Sequence, residues 1–247
     1  MTSAREQFGR TAQAYATSAV HARGADLDLL QRLIERRDAG ALVDVGTGAG
    51  HTLVALAGRR PLLVGLDPTP EMLRAARGVL QERAVAASLV QGEADELPFA
   101  DGRVDVITCR VAAHHFPKPR EAFAEIARAL APGGVLYLVD NYAPDDPALD
   151  DFINSLERLR DPSHVRAYTL AEWQRLLADA GLRPSLRERW RMPLQIEDWL
   201  ARSQTPPDQA AEARRRLRDA NPSALDAFGI SEREFNLLKA LFVATKR

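Results

Sequence analysis

The sequence predicts an α/β protein built on a mainly parallel sheet with helices on both faces. Three observations carry that expectation. Short β-type apolar runs alternate with helix-period segments between residues 41 and 139, and such alternation implies parallel strands joined by right-handed crossovers. The first run, 41–45, passes straight into the turn Gly46-Thr47-Gly48-Ala49-Gly50, and an apolar helical pattern follows over 52–57. A chain of 247 residues, 46% hydrophobic and 27% charged, is also large enough to bury one substantial core.

The elements follow in order. Residues 1–38 read as helical, with Leu27, Leu30, Leu33 and Ile34 at helical spacing. Strands are expected at 41–45, 62–66, 86–90, 104–109 and 135–139. The clearest helix between them is 70–83, and helix 120–130 precedes the turn Pro132-Gly133-Gly134. Beyond residue 140 the pattern is mixed: helices at 147–160 and 170–180, a stop at Gly181, and a strand at 182–190. Residues 196–220 read as two polar helical pieces divided by Pro206-Pro207, and 238–246 as a closing strand. Acidic residues flank Arg214-Arg215-Arg216 at helical spacing, which puts that run on a solvated face. One domain is expected: an N-terminal helical part (1–38), a core (39–140) and a C-terminal part (141–247), with the role of 191–235 open.

Charge and cysteine use exclude several classes. A net charge of −1 provides no field that draws nucleic acid or anionic lipid. The single Cys109 excludes an internal disulfide and a cysteine-based zinc site. Residues 1–10 carry charges and no apolar run, unlike a signal peptide, and no apolar stretch reaches the ~18 residues of a membrane span. A cytoplasmic protein, monomer or homodimer, is expected.

In an open α/β sheet, ligands bind beyond the carboxyl ends of the strands. Glycines at alternate positions turn the backbone sharply and leave no side chain between it and a ligand. A G-x-G-x-x-G dinucleotide fingerprint needs glycine at position 51, where this chain has His51. Asp67 ends the second strand about 20 residues past the first glycine, where an acid accepts from ribose hydroxyls and repels a 2′-phosphate. Its other reading is an acid at a helix N-terminus, before Pro70. Met72 packs either on a base or in the core. The third strand leads into Gln91-Gly92-Glu93-Ala94-Asp95-Glu96-Leu97-Pro98-Phe99, and Leu130-Ala131-Pro132-Gly133-Gly134 precedes the fifth.

Asp44 followed by G-x-G-x-G, the strand-two acid, the L-P-F turn and the L-A-P-G-G run together resemble the class I S-adenosylmethionine (SAM)-dependent methyltransferases. Over about residues 5–182 the chain is similar to the ubiquinone/menaquinone-biosynthesis-type enzymes that methylate small molecules. The resemblance implies a Rossmann-like, seven-stranded, mostly parallel sheet whose last strand is antiparallel, with an N-terminal helical lid and a C-terminal helical insertion. It implies SAM as cofactor and S-adenosylhomocysteine (SAH) as product. Gly46, Thr47, Gly48 and Gly50 would contact the methionine moiety, and Asp44 either its amino group or the loop as a brace. Asp67 would take the ribose and Met72 the adenine. Glu93, where aspartate is usual in the family, would meet the adenine amino group, Ala94 would donate from its amide, and Arg110 would lie under the sulfonium. Tyr15, Ser18 and His21 would cover the cofactor from the lid, or else pack in the core.

Methyl transfer from a sulfonium needs a base only when the acceptor must lose a proton. His114 and His115 follow strand four and face the transferable methyl in related enzymes, either as base or as orienting groups. Adjacent histidines diverge and no third ligand stands at a convincing spacing, so no metal is expected. Asp140-Asn141-Tyr142 either bonds an acceptor or caps its loop. Trp173, Trp190, Trp199, Met192 and Phe228 are candidates for an apolar acceptor pocket, with Trp173 better placed to pack a helix on the sheet. The partner expected is a small molecule: a quinone precursor, phenol or similar. The near-neutral charge and the lack of an N-P-P-[YF] tetrad count against nucleic acid. The alternatives are a nucleotide-dependent oxidoreductase, against which the glycine spacing counts, and a SAM-binding regulatory or scaffolding protein without turnover.

Overall fold

The computed structural model describes residues 3–18, 22–34 and 40–247. The chain runs α1 (Ala4–Ala16), α2 (Ala25–Leu33), β1 (Ala41–Val45), α3 (His51–Ala55), β2 (Leu62–Asp67), α4 (Pro70–Glu82), β3 (Ser88–Gln91) and β4 (Val104–Arg110). A single 3-10 turn, Ala113–His115, precedes α5 (Pro119–Ala129) and β5 (Leu130–Asn141). Then come α6 (Pro147–Arg160), α7 (Leu170–Asp179), β6 (Leu182–Gln195), α8 (Ile196–Arg202), α9 (Pro207–Arg218), α10 (Pro222–Phe228) and β7 (Glu234–Lys246).

The strands form one seven-stranded sheet in the order β3-β2-β1-β4-β5-β7-β6. Strands β1 to β5 pair in parallel, and β7 pairs antiparallel with both of its neighbours. The expected sheet is therefore present, with its last strand the antiparallel one. Alternation along the central strands feeds two cores. Val43 and Ile107 join Phe123 of α5 and Trp173 of α7 on one face, while Leu42 and Val106 join Leu30, Leu53 and Leu80 of α2 to α4 on the other. A third core, with Leu156, Trp199, Leu217 and Phe228, gathers α6, α8, α9 and α10 against the start of β7. It forms a helical cap beyond one end of the sheet.

Several boundaries depart from the sequence pattern. The N-terminal helix is not continuous: α1 ends at Ala16, and α2 starts after an extended Gly24. Ser18 consequently leaves the helical face that carries Phe8 and Tyr15, and His21 lies outside the described residues. Strand β5 begins at Leu130 rather than Val135, its ladder to β4 shifting register between Val104 and Val106. Strands β6 and β7 run on together as far as the pair Gln195–Glu234. Their outer halves are poor in β-type residues and are held by pairing with each other. Pro193 is tolerated there because β6 is an edge strand. The last helix of the cap, α10, went unread between Asn221, whose side chain caps it, and Gly229, which ends it at φ +54°.

Candidate active site

One cavity opens at the carboxyl ends of the central strands, and α1 covers it. The glycine turn forms its floor. The amides of Gly46 and Thr47 donate to the Leu66 carbonyl at 2.8 and 3.0 Å, which ties the turn to β2. At Gly46, φ is +71° and an added Cβ would stand 2.5 Å from the Ala112 Cβ, so only glycine fits. At Gly48, φ is +51° and a Cβ would meet nothing within 4 Å: the backbone there lies open to the cavity. Gly50 caps the start of α3, its amide on the Thr47 carbonyl at 2.9 Å.

Asp44 lies beneath this turn, fully buried, and accepts from the Thr108 hydroxyl at 2.6 Å. Burial pushes its carboxyl up to about 6. It does not line the cavity. Asp67 does line it, at 6% exposure. Its Oδ2 accepts from the Gly48 amide and its Oδ1 from the Thr69 amide, both at 2.9 Å. Burial raises its pKa in spite of these two bonds. Met72, Glu93 and Ala94 complete this side of the cavity. Burial and the charge of Asp95 raise the Glu93 carboxyl.

The other side is built on β4, β5 and β7. Arg110 lines the cavity and its Nε donates to Asp26 at 2.5 Å. His114 and His115 are both buried and both reach the cavity. His114 Nδ1 lies 2.6 Å from Asp140 Oδ1, and the His114 amide donates to the other oxygen at 3.2 Å. Burial alone would raise the Asp140 carboxyl, but the charge and bond of His114, with the charge of Lys239, hold it below the ordinary range. His115 Nδ1 lies 3.1 Å from the Ser163 carbonyl, and the Ser163 hydroxyl donates to Asp161 at 2.6 Å. Burial, then the neighbouring His114, lower the His115 imidazole to about 4. Facing the Ser163 carbonyl, His115 Nδ1 donates, which leaves Nε2 of this neutral ring as an acceptor.

Helix α1 lies over both halves. Phe8 sets its ring edge-on to His115, 4.9 Å between centroids. Gln7 Nε2 donates to the Ser203 carbonyl at 2.9 Å, and Arg160 reaches the Tyr15 hydroxyl at 3.4 Å. His51, standing where a dinucleotide fingerprint has glycine, lies 3.1 Å from the Tyr15 carbonyl.

Thus Gly46, Thr47, Gly48, Asp67, Met72, Glu93, Ala94, Arg110, His114, His115 and Tyr15 come together at one cavity. Gly50 and Asp44 support it from behind, and Ser18 lies outside its lining. Of the expected apolar pocket, Met192 and Trp199 line the cavity, while Trp173 packs in the sheet core and Phe228 in the cap. Trp190 belongs to a separate surface groove beside Tyr142. Cys109 is fully buried, and burial raises its thiol well above the ordinary value. No cluster of three or more metal-ligating side chains occurs among the described residues, and no described helix is long and apolar enough to cross a membrane. Sequence reading missed Lys239, Glu157, Arg160 and Arg202, all lining the cavity. The only sequence signal for them was charge at the inward positions of apolar-patterned segments.

Comparison with known proteins agrees with this geometry. Residues 43–138 match the model of a methyltransferase domain. The uncharacterized methyltransferase YcgJ of Bacillus subtilis (strain 168) is 41% identical over 225 residues, covering 91% of this chain and 89% of that one. The YcgJ crystal structure superimposes with a TM-score of 0.86 over 90% of this chain and 97% of that one. A demethylmenaquinone methyltransferase of Thermus thermophilus is 32% identical over 122 residues, 47% of this chain and 56% of that protein.

Proposed function

The chain belongs to the SAM-dependent methyltransferases, and from that premise we propose that it moves a methyl group from SAM to a small-molecule acceptor. The observation that carries this reading is the junction of Gly48 and Asp67 in the cavity wall. An open backbone and a buried carboxylate stand 2.9 Å apart, on the floor of a cavity whose other half carries imidazoles and cations. The cradle fits the cofactor: the open space at Gly48 is where a side chain would obstruct a ligand lying on the turn.

In this reading the methionine end lies against the open backbone at Gly48, and Asp67 accepts from the ribose hydroxyls. Met72 packs against the adenine, while Glu93 and the Ala94 amide bond its edge. When bound, SAM supplies a methyl group on a positively charged sulfur, already activated for in-line displacement. The protein aligns and shields the reactants. Residues Phe8 and Tyr15 of α1 exclude water over the cavity. His114, with Nδ1 held by Asp140, takes the acceptor's proton at Nε2, and the carboxylate stabilises the imidazolium so formed. His115, kept neutral at pH 7, orients the acceptor. The Thermus relative, whose name specifies demethylmenaquinone, makes quinone precursors and other phenols the first acceptors to try. Calorimetric titration with SAM, SAH and NAD tests the donor. Saturable binding of the first two and not of NAD is expected; binding of NAD alone would replace this reading with an oxidoreductase.

A further inference from the structure

Three neighbouring strands, β4, β5 and β7, bring Arg110, Asn141 and Lys239 to the cavity. Asn141 and Lys239 are direct register partners across the β5–β7 ladder, so their side chains stand side by side on one face. Lys239 is 1% exposed, yet its Nζ has no hydrogen-bond partner among the described residues. Asn141 is 3% exposed, and its Oδ1 lacks a partner likewise. A buried ammonium without a bond is costly, and side chains in protein interiors seldom stay so.

The carboxylates near enough to act on Lys239 through space are Asp140, Asp26 and Glu157. Each is committed elsewhere. Asp26 holds Arg110 and Asp140 holds His114, while Glu157 accepts from the Trp199 indole at 3.1 Å and faces Arg160 at 3.8 Å. The cavity therefore presents a cation with no internal taker, next to an amide with free bonding capacity. Arg160 and Arg202 add positive charge to the same half of the lining.

We propose that Lys239 Nζ binds an oxygen anion of the acceptor, a carboxylate or an ionised phenol or enol, and that the Asn141 amide bonds a neighbouring polar atom of the same molecule. This rests on the methyltransferase reading and narrows it: the acceptor is an anion when it is methylated. An oxyanion seated there accepts from Lys239 Nζ, and a hydroxyl or N–H beside it donates to Asn141 Oδ1, contacts that no described residue supplies.

The test uses the SAH-loaded protein and two matched probe pairs: 4-nitrophenol against nitrobenzene, and benzoate against benzamide. Wild type is expected to bind at least one anion about ten-fold more tightly than its neutral partner, a difference of ~1.4 kcal/mol. The preferred pair separates a phenolate acceptor from a carboxylate one. Lys239→Met and Lys239→Gln are expected to erase the preference while SAH affinity stays within about two-fold; two variants guard against one failing to fold. Equal binding of anion and neutral partner, a preference surviving both substitutions, or no anion binding to the SAH-loaded protein overturns the inference alone. A wild type that does not take up SAH overturns the donor reading and this inference with it.

Discussion

The Gly48 amide donates to Asp67 Oδ2 at 2.9 Å, so the carboxylate that ends β2 holds the turn that ends β1. The same side chain is thus a brace of the cradle and a candidate contact of the cofactor. Asp67→Ala should weaken SAM binding by ~1–3 kcal/mol, because the ribose loses a charged acceptor and the turn loses its tie. Calorimetry reads this directly, and an unchanged affinity would remove Asp67 from the site.

Gly46 and Gly48 should fail in different ways. Gly46→Ala drives a Cβ to 2.5 Å from Ala112 and should lower stability by several kcal/mol, through positive φ and overpacking together. Gly48→Ala meets no neighbour, so its stability cost should be only the ~1–2 kcal/mol of left-handed backbone. Its SAM affinity should fall by more than its stability. Thermal unfolding beside calorimetry separates the two behaviours, and equal stability losses would contradict the geometry.

For the paired imidazoles, rate and binding are the discriminating readouts. His114→Ala should slow SAH formation by about 10²–10⁴-fold on a phenolic acceptor, with SAM affinity nearly intact, as removal of a base does. Asp140→Asn should slow it less. His115→Ala should raise KM for the acceptor more than it lowers kcat. If His115→Ala is the variant that loses kcat while His114→Ala does not, the roles are exchanged.

Asp44 gives a pH dependence with a definite sign. Its carboxyl titrates near 6 in the folded protein, against an ordinary 3.8. Between about pH 4 and 6 the folded state therefore holds a proton that the unfolded state has lost, and this group's contribution to stability falls as pH rises through that window. Asp44→Asn removes the titration and keeps an acceptor for Thr108. Relative to wild type, the variant should gain ~1–3 kcal/mol in urea unfolding from pH 4 to pH 7, whereas a constant difference would show that Asp44 titrates normally.

The tie from α1 to the helical cap can be weighed alone. Gln7→Ala deletes a buried bond from α1 to the Ser203 carbonyl worth ~1 kcal/mol. Amide hydrogen exchange in α1 should quicken about five-fold with little change in the sheet; quickening everywhere would mean that α1 opens only when the whole protein unfolds.

The donor half was readable because its signals are local. The 41–45 segment carries its own strand pattern and runs straight into its glycine turn, and that turn and Asp67 are fixed by short spacings to strand ends. The acceptor half is assembled from distant pieces. Arg110 and Asp26 are 84 residues apart in sequence, and nothing near Lys239 marks it for burial. It sits in an apolar run, Leu237-Leu238-Lys239-Ala240-Leu241, where periodicity describes the strand and is silent about the one charged member. Asp140 and His114 were each legible as residues of the cleft, but their pairing was not, since it depends on how β4 and β5 align.

The placement of β7 between β5 and β6 bears on how the molecule is made. During synthesis β6 emerges with no neighbour to pair with, and the free edge of β5 stays open until the stretch after Gly229 arrives. That stretch then does two things in one motion: it zips the sheet shut and delivers Lys239 to the cavity. A ribosome that stalls before it leaves a chain with the glycine turn and Asp67 already made, two bare strand edges and no Lys239 in the cavity, prone to aggregate.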